Sequence, residues 1–243
     1  MMRKAVIFLF IGLAIFTGSI IFGSEYFPIN KVSKNSIIDL KPNNNVFFND
    51  FIREDINTLN NYHERWSTLH PLKNLNKYNF TTIASSILGS SYKSTNLCDA
   101  KAETAWVPKS KGGIGEWVKI TINAESALSE YTSTPFSIFK IGILPGYAKS
   151  QKTWSENNRV KKLLVIIHSP QLSAPEENEW VAFRLNLLDE IKVQVFNIPD
   201  DKIGYNFNGM KKEIWIKIEE IYKGTKYDDT CISEFIAVGG FTN

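Results

Sequence analysis

The chain has 243 residues, 43% hydrophobic, 22% charged and 13% aromatic, with a formal net charge of +3. That composition excludes a disordered chain, a collagen-like repeat and a disulfide-dense miniprotein. The 28 basic and 25 acidic residues nearly balance and form no block of like charge, so the electrostatic footprint of a nucleic-acid binder is absent.

Residues 1–24 open on Met1-Met2-Arg3-Lys4, a basic start, and continue into an apolar run from Ala5 to Phe22. This is the pattern of a secretory signal peptide, with small residues for cleavage near Thr17-Gly18-Ser19 or Gly23-Ser24. The alternative is an uncleaved anchor, because the run sits at the lower length limit for spanning a bilayer. Either reading places the rest of the chain outside the cytoplasm, secreted, at the cell surface or in the periplasm, with the anchor as its one membrane contact. Export also changes the reading of the two cysteines, Cys98 and Cys231. In an oxidising compartment they are candidates for a disulfide worth about 4–5 kcal/mol, and otherwise they are buried thiols.

Residues 25–77 read as a linker carrying one helix. Glu25 to Val46 is largely polar, a lightly structured extension. Phe47 to Leu69 then places Phe48, Phe51, Ile52, Ile56, Leu59, Tyr62 and Trp66 at helical spacing, with Asn49 or Asp50 as cap and Pro71 as stop. The stripe is a packing face, to be buried on the domain, a partner or a second copy, since a lone helix of that length is marginal. His63 and His70 fall on its surface.

From residue 78 to 243 the pattern changes to short β-rich runs between Gly, Pro, Ser and Asn clusters: TTIASSI, WVKITI, FSIFKIGIL, KKLLVIIH, EWVAFRLNLL, IKVQVFNI, EIWIKIEEIY and SEFIAVGGF. Eight such runs without intervening helices predict an all-β antiparallel sandwich or barrel. Glu116-Trp117-Val118-Lys119-Ile120-Thr121-Ile122 alternates as a half-buried strand does, and Glu213 to Glu219 is denser, as for a central strand.

Within this region, Asn96-Leu97-Cys98-Asp99-Ala100-Lys101-Ala102-Glu103-Thr104-Ala105-Trp106-Val107 resembles the NLxDGDxxTAW signature of discoidin-like, F5/8 type C-like domains. Lys111 to Val118, Ile143 to Ser150, Asn157 to Leu163 and Tyr222 to Glu234 narrow the resemblance to the NADase-type glycan-binding domain, also called the NAD glycohydrolase translocation domain. The five blocks stand in the same order and span about Tyr78 to Phe241. The resemblance implies a galactose-binding-like jelly-roll β-sandwich whose end loops bind a glycan or cell surface. The family takes its name from a toxin whose enzymatic domain is separate from this module. No catalytic domain is expected before Asn243, and NADase activity is not carried over.

The same blocks supply the candidate residues. Asp99 suits a turn-stabilising carboxylate, with Trp106 plugging the sandwich. It is also the one candidate ligand for a structural calcium, a case weakened where Ala100 and Lys101 replace the Gly and Asp of the signature. No other cofactor is indicated. Gly112, Gly113 and Gly115 lead into a strand and so form no phosphate loop. Tyr147 and Trp154, in a long polar loop, are candidates for an exposed aromatic platform. Asn158 and Arg159 are candidates for sugar hydroxyls, with Arg159 alternatively pairing with Asp228, Asp229 or Glu234. Tyr222, Lys226, Tyr227 and Asp228 form a polar, aromatic loop suited to a sugar or to a structural corner.

Three functions follow. The favoured one is an exported, non-catalytic carbohydrate or cell-surface binding module; the second keeps the fold as a protein-binding or structural module without the sugar site. An enzyme using Glu103, Glu116, Asp228 or Asp229 is disfavoured, because nothing in the sequence opposes two of them across a cleft. The sequence names neither the sugar nor an oligomeric state.

Overall fold

The structure is a computed structural model and describes residues 26–46, 68–71, 79–123, 136–170, 180–203 and 211–241. The signal or anchor segment lies outside the described residues, as does the expected helix apart from its last two positions. The described residues form eleven strands: β1 (Ile38–Leu40), β2 (Asn44–Val46), β3 (Thr68–Pro71), β4 (Asn79–Ala84), β5 (Trp117–Asn123), β6 (Phe136–Pro145), β7 (Asn158–His168), β8 (Trp180–Asn186), β9 (Val193–Asn197), β10 (Lys211–Tyr222) and β11 (Thr230–Phe241). Two short helices, α1 (Gln151–Glu156) and α2 (Asp200–Ile203), sit in connections.

The strands form a two-sheet sandwich. One sheet runs β1-β8-β7-β10-β5-β4 and the other β2-β9-β6-β11-β3. β11 joins them: Thr230 and Cys231 pair in parallel with β7, after which Glu234 to Phe241 pair antiparallel with β6. Alternation sets the core. Val118, Ile120 and Ile122 of β5, Ile214, Ile216 and Ile218 of β10, and Val181, Phe183 and Leu185 of β8 face Ile138, Ile141 and Ile143 of β6, Phe196 of β9 and Phe235 of β11. Trp106 is fully buried in that core, with its Nε1–H donating to Ser86 O at 3.1 Å, so it plugs the sandwich as the sequence leads one to expect.

The dense run in β10 has a physical cause. The strand is central, between β7 and β5, and its outward Trp215 is buried as well. The cover is the polar extension of residues 26–40, which is therefore more than a linker. Phe27 packs edge-on against Trp215 with centroids 6.2 Å apart, Val32 and Ile37 join Leu164, Ile166 and Ala182, and β1 adds to the sheet beside β8. β2 adds to the second sheet beside β9.

The cysteines correct one expectation: both are free, and no Cys98–Cys231 bridge forms. Cys98 packs against the main core, whereas Cys231 belongs to a separate cluster with Ala105, Val107, Tyr92 and Tyr147. Burial pushes both thiols up, so neither is a reactive thiolate.

Candidate functional site

The end of the sandwich where β6 and β10 finish and β7 and β11 begin gathers most of the candidate residues. The β6–β7 connection starts at Gly146 with φ +79°, where a Cβ would lie 2.5 Å from Arg159 Cγ and 2.6 Å from Trp154 Cδ1. Only glycine fits there. Ser150 then caps α1 reciprocally: its hydroxyl accepts from Thr153 N–H, and Thr153 Oγ1 accepts from Ser150 N–H.

That helix turns Trp154 inward, contrary to the expected exposed platform. The indole is 7% exposed, its Nε1–H donates to Pro145 O at 2.9 Å, and its face carries the Arg159 guanidinium at 4.6 Å. Arg159 is buried too. It forks onto Asp189 (Nε to Oδ1 3.0 Å, Nη2 to Oδ2 2.6 Å) and donates from Nη1 to Asn157 O and Lys223 O. Its partner is therefore none of the acids proposed for it, and four of its five N–H donors are taken up within the fold. Asn158 is fully buried, donating to Asp228 Oδ1 at 2.9 Å and accepting from Gly224 N–H at 2.8 Å. The close approach requires glycine, since a Cβ on Gly224 would meet Glu156 O and Asn157 C at 2.5 Å. Tyr222 ties its hydroxyl to Leu187 O at 3.0 Å. These four side chains make a rigid second layer.

In front of that layer lies a cavity of about 270 Å³. Tyr92 and Tyr147 meet edge-to-face in it, centroids 6.3 Å apart and rings at 83°. Leu88 and Val107 supply apolar wall, and Cys231 lines it from the buried side. Thr153, Glu156, Asn157 and Asp229 supply polar groups, and Tyr227, 43% exposed, stands at the rim. Burial, with Tyr92 and Cys231 alongside, pushes the Tyr147 phenol up, which keeps it a neutral donor. Lys226 and Asp228 flank the mouth: the Lys226 ammonium lies 4.8 Å from the Tyr227 ring centroid, and Asp228 pairs with Lys223 at 2.5 Å. Tyr147 is thus the one expected platform residue that reaches the cavity. Tyr92 was missed, although an aromatic in the Ser-rich run SSYKS carries the same signal that singled out Tyr147.

The acidic loop occupies a different neighbourhood. Asp99 accepts from the Thr104 hydroxyl at 2.9 Å and from Lys101 N–H at 3.1 Å, so it stabilises the turn as expected. Ala100 holds φ +59° at the position where the signature has Gly. Glu234, 2% exposed, takes the same Lys101 N–H at 2.8 Å. Burial first, and the adjoining Asp99 carboxyl as well, push Glu234 up to about 10 despite that N–H bond. The donor set is two carboxyls that already accept N–H and O–H groups, with the Glu234 carboxyl held neutral, and it does not fit calcium. Among the described residues no group of three or more His, Cys, Asp or Glu could hold a metal ion.

Comparison with known proteins matches residues 73–238, more than half of the chain, to the family model described as the NAD glycohydrolase translocation F5/8 type C domain. Solved structures similar to this one include the family 32 CBM of C. perfringens NanJ in complex with galactose (TM-score 0.40, 14% identity, covering 65% of this chain and 93% of that one). Another is the chitosan-binding module 2 from a Paenibacillus sp. IK-5 chitosanase/glucanase in complex with chitotriose (TM-score 0.41, 17% identity, 65% of this chain and 95% of that one). The CBM32-1 and CBM32-2 domains of Clostridium perfringens ZmpB align with TM-score 0.46 and 9% identity over 85% of this chain and 42% of that one. Comparison with curated proteins finds no match.

Proposed function

Because the chain belongs to the NAD glycohydrolase translocation F5/8 type C domain family, we propose that it is an exported, non-catalytic carbohydrate-binding module holding a glycan end in the Tyr92–Tyr147 pocket. The observation that carries this reading is the pocket itself. Perpendicular tyrosines offer a face for sugar C–H surfaces and phenol hydroxyls for its polar edge, and the volume matches a terminal sugar better than a long chain lying flat. Export rests on the basic start and the apolar run of residues 1–24.

A glycan-array screen of the full chain tests it, with Tyr147→Ala and Tyr92→Ala alongside. Each variant is expected to weaken binding about tenfold or more with the thermal midpoint held. A second reading, a protein-binding module of the same fold, draws on the structural roles of Trp154, Asn158, Arg159 and Tyr222. A folded chain that binds no glycan on the array would favour it.

A further inference from the structure

Resting on that pocket, the charge of its lining goes one step further. Two acidic residues, Glu156 and Asp229, line it, and no basic residue does; the Asp229 charge acts on the Cys231 thiol in the same lining. The Glu156 charge is felt by Lys226. Asp229 differs. Its neighbour Asp228 holds Lys223 and Asn158, yet the half-buried Asp229 carboxylate has neither a cation nor a hydrogen-bond donor among the described residues. Its backbone is fixed, with Asp229 O accepting from Asn158 N–H at 2.9 Å. A half-buried carboxylate held in place without a counter-charge is a poor arrangement for the empty fold and a preorganised one for a donor that arrives.

We propose that Asp229 makes the pocket selective for a glycan end bearing a protonated amine, a hexosamine without its acetyl group, over N-acetylated and acidic ends. An ammonium forms the charge-assisted bond that a hydroxyl or amide matches only in part. The tyrosine faces of Tyr92, Tyr147 and Tyr227 attract a cation as well. A sialylated or sulfated end meets two like charges and no basic residue in the lining.

The test uses the full chain and the methyl glycosides of glucosamine and galactosamine, their N-acetyl forms and sialic acid, with binding read by calorimetry or saturation-transfer NMR. At pH 6 at least one free-amine glycoside binds about tenfold tighter than its N-acetyl form, and sialic acid does not bind. Asp229→Asn brings that ratio close to one while thermal unfolding confirms the fold. Should that variant not fold, the wild-type pH series decides: the preference disappears as the amine loses its proton, and a preference that persists overturns the inference. Equal affinity for amine and N-acetyl forms also overturns it and leaves the pocket standing. Failure of every glycan to bind, on the array and here, overturns the pocket reading itself.

Discussion

The Arg159 guanidinium makes four hydrogen bonds and roofs an indole, so truncating it removes a strut shared by Asp189, Lys223 and α1. Arg159→Ala is expected to cost about 2–4 kcal/mol of stability in chemical denaturation. Arg159→Lys would not restore it, since an ammonium lacks the fork. Binding lost at unchanged stability would instead make Arg159 a ligand contact. A second residue-level expectation concerns acid. The hydrogen bond with His168 at 3.3 Å, with Lys211 beside it, lowers Glu213 to about 2 against the opposing pull of burial. Above the ordinary carboxylate value of about 4.3 the stabilisation is complete. Between there and about 2 the unfolded chain takes the proton first, and stability falls. Glu213→Gln should flatten that limb of the stability–pH curve, and a wild-type limb in the variant would show that Glu213 contributes nothing to it. Residue type alone could not separate these roles. Trp154 and Tyr147 share one polar loop and one composition, and only the inward turn imposed by Gly146 and the Ser150 cap sends the indole behind the pocket and leaves the phenol in it.

Among the elements, the eight long strands were legible because period-two alternation writes one face into the sequence, as in β5 and β10. The extension was not. β1 and β2 have three residues each, too few for a period, and their pairing partners lie far along the chain. Its meaning comes from the sheet it covers: Leu164, Ile166, Ala182 and Trp215 would otherwise present an apolar patch on the outer face. Phe27→Ala, a half-buried aromatic, is expected to cost about 1–3 kcal/mol and to red-shift tryptophan emission as Trp215 gains water. Unchanged emission and stability would mean that the strap does not seal that face. The acidic loop shows the same limit. Asp99 could be read as a turn residue from its neighbours, but Glu234 stands 133 positions from the Lys101 N–H it shares, and no local pattern announces that pairing.

At the scale of the whole molecule, the pocket is assembled from segments around residues 88–107, 147–157 and 227–231, and the last of these leads directly into the strand that belongs to both sheets. That strand has consequences for how the protein comes into being. Until β11 docks, β7 and β6 have no common neighbour, Trp106 lacks its bridge to Ile232, and Asp229 has no fixed place. The extension adds closures of comparable reach, Asn186 bonding Leu40 across 146 positions. Such wiring belongs to slow-folding topologies, in which loop closure must precede reward. A chain crossing a membrane N-terminus first would emerge with its strap and half its strands waiting for a partner still on the other side, exposing sheet edges in the interval. Strand β11 thus acts as a keystone, and the Tyr92–Tyr147 cavity is complete only once that strand has docked.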